Sequence, residues 1–98
     1  MAEPRHWHLV LYDVSDDKAL RRVHRTLKDW GKPLQLSVFQ VRCSARELER
    51  LRFELIQVMS EDDRLAIVRL CDGCAGRISV RGKPLTHFDN EDRPFKIV

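Results

Sequence analysis

Two sets of apolar residues at helical spacing constrain this chain more than any other feature. The first is Leu20, Val23, Leu27 and Trp30; the second is Leu48, Leu51, Leu55 and Met59. Each marks a helix with one stripe turned to a core and polar residues elsewhere. Arg21, Arg22, Arg25 and Lys28 lie largely off the first stripe. Around the helices lie runs of strand character. Residues 6–14 are rich in aromatic, aliphatic and β-branched side chains and read as a buried strand. Residues 34–43 supply Leu34, Leu36, Val38 and Val41, and residues 65–70 and 77–80 give two further strands. The stretch from Pro33 to Cys43 is long for one strand, so a bend or bulge near Ser37 is expected to split it.

Local chemistry sets the boundaries. Ser15 is the expected N-cap of the first helix, with Asp16 and Asp17 in the first turn, where the helix dipole favours negative charge. Gly31 is expected to stop that helix and Pro33 to prevent its resumption. Ser44 and Glu47 form a capping-box pattern for the second helix. Glu61-Asp62-Asp63 and Cys71-Asp72-Gly73-Cys74 read as turns.

The resulting order predicts an α+β, ferredoxin-like βαββαβ sandwich over residues 1–82. Both helices then cover one sheet face and leave the other open. Val10, Val38 and Val68 suggest apolar pressure on several strands, which favours a partner subunit and hence a homodimer. Residues 83–98 form a tail with two apolar patches, 85–88 and 95–98. They are expected to supply an extra C-terminal strand that pairs with a sheet edge of the partner subunit.

At 98 residues there is room for one domain, and a chain this short gains from burying apolar area in an oligomer. Its 43% hydrophobic and 34% charged residues exclude a disordered class. No apolar run approaches the roughly 20 residues of a membrane span, and the N-terminus lacks the apolar core of a signal peptide. The expected compartment is the cytoplasm, without membrane association. Three cysteines, an odd number, fit a reducing compartment.

Charge is unevenly spread. Residues 19–52 hold nine basic side chains against three acidic ones, a local excess of +6 in a chain of net charge +3. Arginine outnumbers lysine thirteen to five. Guanidinium matches phosphate in two-point geometry, so Arg21, Arg22, Arg25, Lys28 and Lys32 are candidate contacts to a nucleic-acid backbone. A solvated basic surface is the plainer reading of the same residues.

Asp13 is the most informative single position. It ends an apolar strand immediately before a helix, where α/β folds place functional groups. It either helps to cap the helix or holds a cation, and spacing alone does not choose. Mg²⁺ takes one or two protein carboxylates and keeps several waters. One carboxylate per chain suffices if a dimer axis brings two copies together. Cys71 and Cys74 form a lone C-x-x-C, two ligands short of a structural zinc site, and read as reduced thiols. A thioredoxin-type centre would start a helix there, and no helix is expected. His6 and His8 share a strand face and read as exposed histidines. No nucleophile elbow surrounds Ser37, and no phosphate-cradling glycine loop occurs.

Tyr12-Asp13-Val14 at the end of the first strand, then Ser15-Asp16-Asp17-Lys18, resembles the opening of the CRISPR-associated Cas2 proteins. Gln35-Leu36-Ser37-Val38-Phe39 after Gly31 is similar to that family's Q-x-S-V-F segment, and the acidic turn and cysteine pair also fit. The match runs from about Leu9 to Gly82. The resemblance implies a ferredoxin-like homodimer that binds DNA or RNA and acts as a scaffold for the Cas1 integrase in CRISPR spacer acquisition. It also implies Mg²⁺-dependent endonuclease activity, with Asp13 as catalytic residue and metal ligand. Tyr12, Ser37 and Phe39 match motif positions around that site. Where family members often carry arginine, this chain has Ala19 and Pro33, with Arg21, Arg22 and Lys32 nearby. A toxin-like mRNA endoribonuclease of the same fold, or a purely structural DNA-binding dimer, are the alternatives.

Overall fold

The computed structural model describes residues 3–81 and Phe95–Ile97. Six strands and three helices follow one another along the chain: β1 (His6–Asp13), α1 (Asp17–Lys28), β2 (Gly31–Gln35), β3 (Val38–Cys43), α2 (Ala45–Val58), β4 (Arg64–Leu70), α3 (Asp72–Ala75), β5 (Ile78–Val80) and β6 (Phe95–Ile97). Strands β1 to β4 make one antiparallel sheet in the order β2-β3-β1-β4, with β1 paired to β3 on one side and β4 on the other. That is the expected βαββαβ arrangement.

Alternation along the strands divides the sheet into two faces. His8, Val10 and Tyr12 of β1 are buried, and their partners across the ladders include Phe39, Val41, Leu65 and Ile67. These residues pack with Val23 and Leu27 of α1 and Leu51 and Leu55 of α2 in one core. Phe39, Leu27, Leu51 and Leu55 are fully buried, each contributing roughly 1.5–3 kcal/mol by leaving water. Val10 therefore belongs to the helix-covered core. Leu9, Leu11, Val38, Ala66 and Val68 occupy the other face, and Val68 remains 45% exposed.

That second face is partly covered. Helix α3 contacts β1 and β4, and Ile78 packs with Leu9, Leu34 and Val38. Strand β5 pairs in parallel with β6, so the 95–97 segment meets its own chain here. Residues 85–88 lie outside the described residues. No helix is long and apolar enough to cross a membrane among those described.

Several boundaries differ from the sequence reading. Asp16, one residue past Ser15, caps α1, its carboxylate accepting from the Ala19 amide at 2.9 Å. Both residue types cap well, and only the backbone path chooses between them. Helix α1 ends at Lys28, before Gly31, which instead opens β2. The break between β2 and β3 is a two-residue hairpin turn at Leu36 and Ser37, with the register shift lying between Pro33 and Gln35. The Ser44–Glu47 capping box forms as expected, worth about 1 kcal/mol. Cys71-Asp72-Gly73-Cys74 is not a plain turn: Cys71 caps the short helix α3.

His8 is not exposed. It is 2% accessible, with its Nδ1 3.7 Å from the buried Cys43 Sγ. Burial holds its imidazole below the usual value, with repulsion from His6 and Arg69 acting in the same direction. The unfolded chain therefore binds a proton that the folded chain resists. Stability is full above about pH 6.5 and declines as pH falls through that value toward the depressed folded one. Thermal melts between pH 8 and pH 5 should show this decline, and His8→Leu should flatten it.

Candidate functional site

Asp13 stands at the last position of β1, exposed, on the face opposite the two long helices. Strand parity sets this orientation: Tyr12 turns inward to the core, so the next side chain points outward. Directly across the β1–β4 ladder is Arg64, and together with Ser37, Leu11, Val38 and Ala66 these residues line an open depression of about 240 Å³. Arg64 escaped the sequence reading because only the long-range register of β4 against β1 brings it beside Asp13.

Tyr12 and Phe39 support this corner from beneath. The Tyr12 hydroxyl donates to the Leu36 carbonyl at 2.9 Å, while its backbone amide donates to the Ser37 carbonyl at 3.1 Å. One residue thus ties the β2–β3 turn to the strand that carries Asp13. Burial raises the phenol pKa of Tyr12, keeping it a neutral hydrogen-bond donor. Phe39 is fully buried, with its ring 6.2 Å from that of Tyr12 and 5.1 Å, edge to face, from that of His24. It cannot touch a ligand and acts as packing under the turn. Ser37 is exposed at the turn and borders the depression directly.

The basic residues form a second feature on the other side of that turn. Arg21, Arg25 and Lys28 recur along one side of α1 and line a groove of about 510 Å³ with His24, Leu20 and Leu36. Leu36 is 81% exposed. Burial, and then Lys28, lower the His24 pKa, so at neutral pH it contributes a polar ring to the groove without adding charge. Arg22 is exposed on the same helix, and Lys32 is exposed on β2. Neither lines this groove. Leu36 belongs to the basic groove and Ser37 to the depression that holds Asp13, so adjacent turn residues join the two features.

The donor set limits any metal. Among the described residues no cluster of three or more His, Cys, Asp or Glu side chains could hold one. Asp13 alone fits a hard cation that keeps most of its waters, provided a second carboxylate comes from another copy.

The chain matches the family model described as CRISPR associated protein Cas2 over residues 6–78. A protein of Moorella thermoacetica named CRISPR-associated endoribonuclease Cas2 1 is 36% identical over 80% of this chain and 88% of its own length. A hypothetical protein from Thermus thermophilus superposes with a TM-score of 0.68 at 30% identity, over 69% of this chain and 84% of that one. The Streptococcus pyogenes Cas2 crystal structure superposes with a TM-score of 0.62, also at 30% identity, over 66% and 86%. With the family model spanning residues 6–78 and relatives this similar over most of their length, the chain belongs to the CRISPR-associated Cas2 family.

Proposed function

We propose that this protein is a homodimeric, metal-dependent endonuclease of nucleic-acid backbones, and that the same dimer is the scaffold beside the Cas1 integrase in CRISPR spacer acquisition. The observation that carries this reading is the position of Asp13: an exposed carboxylate on the sheet face that the long helices leave free, beside a patch of apolar side chains. Leu11, Val38, Ala66 and Val68 on that face offer a second copy a surface to bury. Gln40, buried on the same face, has an Oε1 with no partner among the described residues. Joining two such faces is the arrangement in which one carboxylate per chain becomes a pair.

Each residue then has a defined task. The two Asp13 side chains would hold Mg²⁺, which when bound would supply Lewis-acid stabilisation of phosphate charge and make a water more acidic. Arg64 offers its guanidinium to a phosphate oxygen at the same depression. Ser37 presents a hydroxyl at the rim, and Tyr12 with Phe39 fixes the turn that carries it. Arg21, Arg25 and Lys28 position the backbone without reading sequence, with Arg22 and Lys32 extending the basic surface. Relatives bearing the name endoribonuclease make RNA the first substrate to test.

Charge reversal tests the basic groove. Arg21→Glu with Arg25→Glu should weaken binding to RNA and DNA duplexes of any sequence. The slope of log affinity against log salt should become shallower by roughly 1 for each phosphate that the helix no longer neutralises. Fluorescence anisotropy from low to moderate salt measures both. Unaltered affinity and slope would remove α1 from the interface. Cleavage by wild type and Asp13→Ala, with and without Mg²⁺, tests the catalytic half of the reading.

A further inference from the structure

Cys71 and Cys74 take no part in the site above, and the structure gives them a geometry of their own. They are separated by one turn at the start of α3, both are exposed, and Cys71 Sγ accepts a hydrogen bond from the Cys74 amide at 3.4 Å. Residues one helical turn apart have Cα atoms about 5 Å from each other, within the roughly 4.4–6.8 Å that a disulfide spans. Gly73 lies between them, and a side-chain carbon there would meet nothing within 4 Å, so the outer side of the turn is open to a small reagent. The third cysteine, Cys43, is 1% accessible against His8. Two thiols do not complete a tetrahedral zinc site, and no third ligand accompanies them among the described residues.

We propose that Cys71 and Cys74 form a thiol–disulfide exchange site for low-molecular-weight disulfides, with Cys71 as the attacking and Cys74 as the resolving sulfur. The two sulfurs are not equivalent. Hydrogen bonds from the Cys74 amide and thiol favour the Cys71 thiolate, whereas that same neighbour makes Cys74 harder to ionise. In the first step the Cys71 thiolate attacks one sulfur of the reagent disulfide, expelling one thiolate and leaving a mixed disulfide. Cys74 then loses its proton to solvent and attacks the Cys71 sulfur, expelling the second thiolate. The cysteine pair is oxidised by two electrons and the reagent is reduced to two thiols. Because α3 contacts β1 and β4 and buries its own Ala75, the resulting staple stiffens the segment that covers part of the second sheet face.

The test is to incubate the reduced full-length chain with glutathione disulfide and follow intact mass and free thiols. Wild type is expected to lose the mass of two hydrogens and to keep one alkylatable thiol after denaturation, that of Cys43. Cys74→Ser is expected to stop at a stable adduct of one glutathione on residue 71. Cys71→Ser is expected to react about tenfold more slowly. Absence of an internal disulfide in wild type would overturn the proposal. Equal reaction rates in the two variants would overturn the assigned roles.

Discussion

Replacing Asp13 by alanine is expected to abolish Mg²⁺-dependent cleavage, with a loss of at least about 100-fold, while leaving the fold intact. The structural effect is small because the side chain is exposed at a strand end, where substitutions shift stability by about 0.5 kcal/mol or less. The chemical effect is large because Asp13 is the one acidic side chain among the residues that line the depression. A second readout separates metal binding from substrate binding. Mg²⁺ should raise the melting temperature of wild type, since in the proposed dimer the cation would relieve repulsion between the two Asp13 carboxylates, and should leave Asp13→Ala unmoved. Cleavage retained by the variant would assign the activity elsewhere.

Gly31→Ala is expected to be the most damaging single-atom-scale change, costing about 3 kcal/mol or more and loosening the β2–β3 hairpin. A methyl group at position 31 would collide with the Gln40 carbonyl oxygen and lie 2.9 Å from Val41 Cγ2. Position 31 faces Val41 in the ladder, so relief would require β2 to move away from β3. That movement reaches the site, because Leu36 and Ser37 close this hairpin. Urea unfolding should show a lower midpoint, with weakened nucleic-acid binding alongside it. An unchanged midpoint would show that the strands yield without loss.

Gly31 also shows where reading the chain alone falls short. A glycine after a helical stripe has a ready local explanation as a stop signal, yet here its smallness answers a strand brought in from later in the chain. The features that were legible depend on near neighbours. Leu20, Val23 and Leu27 announce α1 by their period, Ser44 and Glu47 announce the start of α2, and Tyr12-Asp13 announces the strand end that bears the carboxylate. What escaped depends on register or on very short elements. Arg64 becomes a neighbour of Asp13 only through a ladder that joins positions 51 residues apart in sequence. Helix α3 is four residues, too short for any periodicity to mark it. His8 is the instructive middle case: its parity with Val10 and Tyr12 already placed it on the inward face, although its position near the chain start favoured exposure.

The central claim is that two chains share one ion-holding centre, and subunit mixing tests it most directly. Wild type and Asp13→Ala are unfolded together in varied proportions, refolded, and assayed for Mg²⁺-dependent cleavage at constant total protein. If both carboxylates are needed, activity falls as the square of the wild-type fraction, because mixed dimers are inactive. A strictly linear fall, with each wild-type chain working whatever its companion, would contradict the shared centre.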